Sequence, residues 1–287
     1  MSIHIGLTGW GDHDSLYHSN ISPQEKLAVY ASFFPVVEVD TAFYAIQPEK
    51  NYEKWVKETP EHFSFVIKAY QTLTGHDRKS VTKDEFRAVM DQYRESIEPV
   101  LQSGKLNSIL FQFPPWFDLK KEHVNRLRVI RDYFFDLPLA LEFRNRTWFS
   151  PQYRQKTLQF MKEEKWIHTI CDEPQAGEGS VPVVLEPTHP ERTLIRFHGR
   201  NVHGWNRNGR PDWRKVRFLY RYSIEELSEW SRWIKQLQIK TKHITILFNN
   251  NSGKDAADNA KQLMNLLNIQ YKGLNPRQMD LFDGGLA

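Results

Sequence analysis

The chain has a single cysteine, Cys171, among its 287 residues, so it cannot form an internal disulfide bond. Such cysteine usage is typical of a reducing compartment, and we expect a cytoplasmic location. No run of about 18 apolar residues occurs, so the sequence predicts no membrane-spanning helix. The first strand-like segment begins at Ile3, and we expect no signal peptide before it.

Several catalytic signatures are also absent. The chain has no P-loop, no GxSxG nucleophile elbow and no dinucleotide-binding fingerprint, which disfavours an NTPase, a serine hydrolase and an NAD-dependent enzyme. HExxH, paired CxxC and EF-hand spacings are missing too, and the sequence requires no cofactor. The composition is that of a soluble globular protein, with 40% hydrophobic and 26% charged residues. A net charge of only +4 does not by itself indicate a nucleic-acid partner.

Eight β-rich runs alternate with amphipathic stretches such as Glu49–Glu58 and Ile224–Gln238. Eight strands separated by helices predict an α/β fold, a parallel (β/α)8 TIM barrel. The alternative, an open doubly wound sheet, would show a glycine-rich phosphate turn after its first strand, and the glycines of GLTGWG lack that spacing. The predicted strands are Ile3–Thr8, Val36–Ala42, Phe63–Ala69, Ser108–Phe113, Leu139–Arg144, Trp166–Asp172, Leu194–His198 and His243–Asn249.

One connection departs from this alternation. Residues 173–192 are rich in proline and glycine and show no helical period, so the sixth helix is predicted to be missing or irregular. No linker or repeat divides the chain. We therefore predict one barrel domain over residues 1–269, followed by a C-terminal tail over residues 270–287.

Polar residues recur on one face of the predicted strands. Val37 and Val39, for example, fall on one face of the second strand, and Glu38 and Asp40 fall on the other. Helices pack against the apolar face, so the polar face is predicted to line the barrel, whose strand C-termini carry the active sites of this fold. The other members of this row are His4, Lys68, Gln112, Glu142, Arg144, His168, Asp172, Arg196, His198 and Asn249.

The charges of this row nearly cancel, and buried ions must pair with one another or with a ligand. Three cations, Lys68, Arg144 and Arg196, are candidates for binding a phosphate or a carboxylate. An inert salt-bridge network that fills the barrel is the alternative for any single member.

Proton transfer is assigned to Glu142 and His198, while Glu38 and Asp40 are expected to position substrate or an ion. Carboxylates and histidines of the row would also supply ligands to a divalent metal, which the neighbouring cations disfavour. Paired carboxylates permit glycoside hydrolysis as well, and Trp148, near a strand end, is a candidate for stacking on a sugar or a base.

Seven segments occur in a fixed order along nearly the whole chain. They are GLTGW (Gly6–Trp10), FFPVVEVDTAFY (Phe33–Tyr44), FSFVIKA (Phe63–Ala69), FQFPP (Phe111–Pro115), LEFRNRTW (Leu141–Trp148), IRFHGR (Ile195–Arg200) and FNNNSGKDAADNA (Phe248–Ala260). Together they resemble the bacterial YecE-like family, also called domain of unknown function 72. The family is similar to TIM barrels, and the resemblance implies no established activity.

The resemblance also marks individual residues. Family members often carry a Thr-His pair after the third strand, whereas here Gly75 separates Thr74 from His76, so His76 receives no role. Tyr44, Gln112, Asn249 and Asn250 are added to the candidate substrate-binding residues on this ground. The family's recurrent motifs contain Glu38, Asp40, Tyr44, Lys68, Gln112, Glu142, Arg144, His198, Asn249 and Asn250.

Positive charge is concentrated in residues 192–222, called here the basic arm, where eight Arg and one Lys face one Asp. The net +8 of the arm leaves −4 for the rest of the chain. Aromatic residues interleave with the arginines, a combination that favours nucleic-acid binding, and a solvated arm paired with acids elsewhere is the alternative. The candidate nucleic-acid contacts are Arg200, Trp205, Arg207, Arg210, Arg214 and Arg217.

The tail contains the segment QMDLF, which looks like the peptide by which bacterial replication and repair proteins dock on the DNA sliding clamp. Gln278, Leu281 and Phe282 would anchor it in a groove of the partner. The leading hypothesis is therefore an enzyme, a hydrolase or lyase, that acts on a phosphate-containing substrate such as nucleic acid and associates with the clamp. A small-molecule enzyme of glycosidase or isomerase type and a non-catalytic binding module are the alternatives.

Overall fold

A computed structural model describes residues 1–205 and 213–277 of the chain. Eight parallel strands pair in chain order and the last closes onto the first, which confirms the predicted (β/α)8 barrel. The strands are β1 (Ser2–Thr8), β2 (Val36–Val39), β3 (Ser64–Lys68), β4 (Leu106–Gln112), β5 (Leu139–Glu142), β6 (Ile167–Asp172), β7 (Arg192–Phe197) and β8 (His243–Phe248).

Helices connect the strands and pack around the barrel. Within the described ranges they are α1 (Lys26–Tyr30), α2 (Thr41–Tyr44), α3 (Glu49–Glu58), α4 (Gln71–Thr74), α5 (Lys83–Ser96), α6 (Glu98–Gln102), α7 (Lys121–Tyr133), α8 (Arg154–Glu163), α9 (Val202–Trp205), α10 (Trp213–Val216), α11 (Ile224–Gln238) and α12 (Ala256–Leu266). Two of the longest, α5 and α11, begin at capping boxes built on Thr82 and Ser223, which explains their well-defined starts. Residues 173–191 form neither helix nor strand, so the sixth helix is missing, as predicted. None of the helices in the described ranges is long and apolar enough to cross a membrane.

The barrel interior has an apolar layer that is separate from the main core. Seven buried side chains, one from each of β2 to β8, pack together there, and we call this layer the apolar floor. It consists of Val36, Val66, Leu110, Ala140, Ile167, Leu194 and Leu247. Side chains two residues apart on a strand share a face, so the next inward layer is the polar row. That layer contains Glu38, Lys68, Gln112, Glu142, Arg196 and Asn249.

The inward assignment of two residues of β6 is wrong. The ring of His168 lies 5.3 Å from that of Phe149 outside the barrel, and Trp230 of α11 donates a hydrogen bond to Asp172. Ile167 belongs to the apolar floor instead. The sequence IHTICD does not alternate strictly, so its apolar residues did not identify the face that meets the helices.

The seam between β1 and β2 is completed by tyrosine hydroxyls. The strands pair directly only through Leu7 and Thr8. The Tyr30 hydroxyl accepts from the amide of Leu7 at 2.8 Å, and the Tyr271 hydroxyl accepts from the amide of Ile5 at 2.8 Å. A residue that follows the last helix thus satisfies the backbone of the first strand.

Residues 271–277, called here the anchor segment, lie against the end of the barrel opposite the polar row. The Asn275 side chain donates to the carbonyls of Ala28 and Glu58 at 2.9 Å each. Arg277 donates to the carbonyl of Ser32 at 3.2 Å. Ala28 lies in α1, Ser32 follows that helix, and Glu58 ends α3, so these carbonyls precede β2 and β3 in the chain. The start of the predicted tail is therefore fixed to the N-terminal side of the strands.

Candidate functional site

A chain of buried ion pairs occupies the C-terminal end of the barrel, directly above the apolar floor; we call this end the mouth. Arg196 reaches from β7 to β2 and donates to both oxygens of Glu38, at 2.9 and 2.7 Å. Its third hydrogen bond, at 2.7 Å, goes to Glu142 of β5. All three side chains are at most 1% exposed, so the guanidinium group is shared by two carboxylates without water between them.

Arg144 extends this chain of ion pairs on the other side of Glu142. Its Nε donates to Glu142 at 2.6 Å, its Nη1 donates to Glu173, and its Nη2 donates to Nε2 of His198 at 2.7 Å. The planar guanidinium thus binds three groups in fixed directions, which a lysine at this position would not do. Glu38, Arg196, Glu142, Arg144 and Glu173 form one continuous cluster.

The carboxyl groups of this cluster differ in protonation behaviour. Burial would raise the pKa of Glu142, but Arg144 and Arg196 together hold it well below its ordinary value. Burial outweighs the attraction of Arg196 and raises the pKa of Glu38. For Glu173, burial raises the pKa to about 7 despite the contact with Arg144. The geometry therefore favours Glu38 and Glu173 as carriers of a proton, and Glu142 as a fixed negative charge.

Glu173 is the principal site residue that the sequence reasoning missed. It follows the last residue of β6 and accepts a hydrogen bond from the amide of Val181 at 2.6 Å, which ties the segment without secondary structure to the mouth. The alternation of side chains along β6 would have identified it. Once Ile167 is placed inward, Cys171 and Glu173 fall on the same inward face.

His198 lies within the cluster but has no free lone pair. Burial, with Arg144 and Arg196, holds the pKa of His198 well below its ordinary value, so the ring is neutral. Nε2 accepts from Arg144, and Nδ1 lies 2.9 Å from the side-chain amide nitrogen of Asn249, so both ring nitrogens face donors. His198 and Asn249 are thus brought together as predicted, in positions suited to orienting Arg144.

Lys68 projects into the same mouth without a counterion. Its Nζ lies 4.6 Å from the ring centre of Phe43, and among the described residues it has no hydrogen-bond or ion-pair partner. Burial and the proximity of Arg196 lower the pKa of Lys68 to about 8, although Glu38 partly opposes them. Asp40, half-buried nearby, also has no hydrogen-bond or ion-pair partner within residues 1–205 and 213–277.

His76, to which the sequence gave no role, stands at the rim of the mouth. Gly75 adopts a left-handed conformation, with φ of 73°, and this turn lets Thr74 and His76 meet at 2.8 Å despite the extra residue. The ring packs edge-on against Phe43. Burial, followed by the charge of Lys68, lowers the pKa of His76 to about 3, so its ring is neutral.

Trp205 and Arg217 of the basic arm cover the ionic cluster. Trp205 is 2% exposed, and the guanidinium carbons of Arg144 and Arg217 lie 5.3 and 4.3 Å from its ring. Arg217 also contacts the rings of Trp213 and Phe218, and its buried Nε has no hydrogen-bond partner among the described residues. Burial lowers the pKa of Arg217 to about 9. Neither side chain forms an open surface for nucleic acid.

Other residues of the arm are committed to partners or lie outside the described residues. Arg200 binds Asp172 through Nε and Nη2 and also binds Glu226, so its charge is neutralised within the protein. The predicted contacts Arg207 and Arg210 lie outside the described residues, as do the docking residues Gln278, Leu281 and Phe282. The side chain of Arg214 is likewise outside the description.

Two predicted substrate-binding residues are committed to contacts outside the mouth. Trp148 is buried in the helix layer, stacked on Phe143 at 4.0 Å. Asn250 donates to the carbonyl of Tyr220 and to Asn259, so it holds loops together. Tyr44 is 64% exposed, and its ring packs edge-on against that of Phe43. Gln112, by contrast, joins the cluster by accepting from Arg196 at 3.4 Å.

One trio of the described residues brings potential metal-ligand atoms close together. Atoms of Glu142, Cys171 and His198 lie within 4.8 Å of one another. The chemistry of this trio does not suit a cation, because guanidinium groups already occupy both oxygens of Glu142 and Nε2 of His198. Burial also raises the pKa of the Cys171 thiol well above its ordinary value, which opposes the thiolate that a metal needs.

Comparisons with known proteins agree with this fold. A family profile described as "Protein of unknown function DUF72" matches residues 4–281. The UPF0759 protein YunF of Bacillus subtilis is 57% identical over 98% of this chain and all of that protein. A crystal structure of a DUF72 family protein from Enterococcus faecalis has a TM-score of 0.89 and 40% identity, covering 97% of this chain and 100% of its own. One from Thermotoga maritima has a TM-score of 0.80 and 25% identity, covering 94% and 100%.

Proposed function

The chain belongs to the DUF72 family, and from the geometry of its own site we propose that it is an enzyme acting on a phosphate- or carboxylate-bearing substrate at the mouth of the barrel. The observation that carries the proposal is a pair of cations, Lys68 and Arg217, that form no ion pair or hydrogen bond with any carboxylate of the described residues. Both interact electrostatically with Glu142, so both belong to one mouth. An anion placed between them would supply the missing countercharge.

Acid–base chemistry in this site falls to groups other than the buried Glu142. Glu38 has a raised pKa and lies on the strand next to Lys68, so it serves as the proton donor and acceptor. Glu142, Arg144 and His198 act as a preorganised scaffold that keeps Arg196 and Glu38 in place. Asp40, which lacks a partner among the described residues, contacts substrate.

The alternative of a glycosidase is disfavoured by one contact. In such enzymes the two carboxyl groups stand on either side of the bond that is cleaved. Here Glu38 and Glu142 are both bound to the guanidinium group of Arg196, at 2.7 Å each, and this group fills the space between them. Isomerase or lyase chemistry needs only one proton carrier and an anion-binding group, and is compatible with the site.

Binding of inorganic phosphate tests the proposal, with tryptophan fluorescence as the readout because Trp205 lies over both Arg144 and Arg217. We expect Lys68→Met and Arg217→Met each to weaken binding by about tenfold or more, since each removes a desolvated cation. Lys261→Met is the matched control, because Lys261 also lies over a ring, that of Phe33, at the other end of the barrel. Equal binding by all four proteins would refute the proposal.

Nucleic acid remains a candidate substrate. A phosphate at the end of a nucleic-acid strand would enter the mouth, and Arg207, Arg210 and Arg214 would contact the rest of that strand. Binding of labelled single-stranded DNA at increasing salt concentration tests it. Counterion release predicts affinity falling steeply with salt, with a smaller slope after joint substitution of those three arginines. Absence of binding at low salt would restrict the substrate to small anions.

For the tail we propose docking on a sliding clamp through Gln278, Leu281 and Phe282. Support comes from the anchor segment, which fixes Arg277 immediately before this peptide. A chain that ends at Arg277 keeps every contact of the anchor segment and lacks only the peptide and the residues after it, so it tests the peptide without disturbing the barrel. We expect clamp recovery in a pull-down to be lost with this chain and with Leu281→Ala/Phe282→Ala. Undiminished recovery by both would rule out docking.

A further inference from the structure

We propose that the side-chain amine of Lys68 is a nucleophile that forms an imine with an aldehyde or ketone substrate. The inference rests on the proposed function only for the anionic group of that substrate, and it adds the reacting atom and the class of bond. The product of the step is a covalent enzyme–substrate adduct in the mouth of the barrel.

The surroundings of Lys68 differ from those of a structural lysine. Lys105, also buried, donates from Nζ to the carbonyls of Val56 and Thr59 at 2.8 Å each and to the Thr59 hydroxyl at 3.1 Å. All three of its protons therefore have acceptors. Lys68 has none among the described residues, and its Nζ lies over the face of Phe43. Its amine is carried by the last residue of strand β3 and has no hydrogen-bond acceptor there that would compete with a ligand.

Burial and neighbouring charges raise the fraction of uncharged Lys68 amine above that of an ordinary lysine, although the charged form still dominates below pH 8. Burial and Arg196 lower its pKa to about 8, against the opposing effects of Glu38, Glu142 and Asp40. The remaining neighbour, His76, is neutral and adds no charge. A lysine placed beside another cation in a desolvated site is one of the standard ways in which an amine is activated.

The step balances without an oxidant or a second reactant. The free amine attacks the carbonyl carbon, a C–N bond forms as the C=O π bond breaks, and one amine proton passes to the carbonyl oxygen to give a carbinolamine. The C–O bond then breaks, and the oxygen leaves as water with a proton from Glu38, whose pKa is raised by burial. The resulting iminium ion withdraws electrons from the neighbouring carbon, so a C–H or C–C bond there is weakened. Such an intermediate serves a lyase or an isomerase.

Reductive trapping on the full chain tests this inference. Glyceraldehyde 3-phosphate and uncharged glyceraldehyde are each added with cyanoborohydride, which converts an imine to a stable secondary amine, and the modified lysine is located by peptide mass spectrometry. We expect Lys68 to be labelled at least about tenfold faster than Lys261 at pH 8, because each unit of pKa changes the free-amine fraction tenfold. Lys68→Arg should lose this label and Lys261→Arg should keep it.

The two aldehydes separate this inference from the proposed function. Labelling of Lys68 by both, with the phosphorylated probe effective at lower concentration, supports both proposals. Labelling of Lys68 at equal concentrations of the two would support the imine and refute the anion site. Phosphate binding without preferential labelling of Lys68 in the wild-type chain would overturn the imine and leave the anion site standing.

Discussion

Arg196 and Glu38 face each other across the barrel and are joined by two parallel hydrogen bonds of 2.7 and 2.9 Å. Glu38 also carries a pKa above its ordinary value, because burial outweighs the attraction of the arginine. The pair therefore combines rigid placement with a carboxyl group whose protonated form is favoured more than that of an exposed glutamate.

Loss of the Arg196 side chain is expected to be strongly destabilising. Arg196→Met leaves Glu38 and Glu142 buried with fewer partners, and breaking such a pair costs about 3–5 kcal/mol. Chemical denaturation at pH 7 measures the loss. Arg128→Met is the matched control, because Arg128 pairs with Glu164 at the surface and its removal should cost less than about 1 kcal/mol. Equal losses for the two variants would contradict the buried network.

Replacement of Lys68 is expected to stabilise the protein. The pKa of Lys68 is lowered to about 8, so its charged form is disfavoured in the folded state and costs stability below that pH. Lys68→Met should raise the free energy of unfolding at pH 7 by about 1–3 kcal/mol, and the gain should vanish as pH rises towards 10.5. Denaturation at pH 7 and pH 10 checks the sign. A lower free energy of unfolding for Lys68→Met than for the wild-type chain at pH 7 would show that Lys68 stabilises the fold.

Glu173 is expected to make stability fall as pH rises. Its pKa is raised to about 7, so the neutral form is favoured on folding and the stabilisation is lost between the ordinary value, 4.5, and 7. Glu173→Gln should remove roughly 3 kcal/mol of pH dependence between pH 4.5 and 8. Glu186→Gln is a control of opposite sign, because Lys240 and Lys162 lower the pKa of Glu186. Identical pH profiles for wild type and Glu173→Gln would refute the assignment.

The hydroxyl of Tyr271 is expected to stabilise the first strand. Tyr271→Phe leaves the amide of Ile5 without its acceptor, which should cost about 1–3 kcal/mol in the free energy of unfolding. Tyr133→Phe removes a hydroxyl that binds Asp91 at the surface, and a much smaller effect is expected. Thermal denaturation of the two variants compares them. An unchanged free energy of unfolding for Tyr271→Phe would mean that β1 does not depend on the tyrosine hydroxyl for its backbone hydrogen bonds.

The sequence predicted the barrel and most of the mouth because strict alternation assigns a face. In β2 the residues on either side of Glu38 are valines, and in β7 those on either side of Arg196 are Ile195 and Phe197, so the polar side chain had to point inward. β6 does not alternate, and its face was misassigned. Glu173, beyond the end of that strand, was missed for the same reason.

The basic arm shows a different limit of sequence reasoning. Clustering of arginines along the chain says nothing about which of them meets an acid in space. Arg200 forms an ion pair with Asp172, which lies on the neighbouring strand, while Arg217 packs among aromatic rings. Trp148 was misjudged similarly, because nearness to a strand end does not distinguish a ring in the mouth from one under the next helix.

The apolar floor lies across the barrel interior, beneath the mouth. Seven buried side chains pack across the barrel below the ionic cluster, so a ligand reaches that cluster from the mouth. For the proposed enzyme this means that substrate and product share one opening, so we expect product still bound at the mouth to keep the next substrate out.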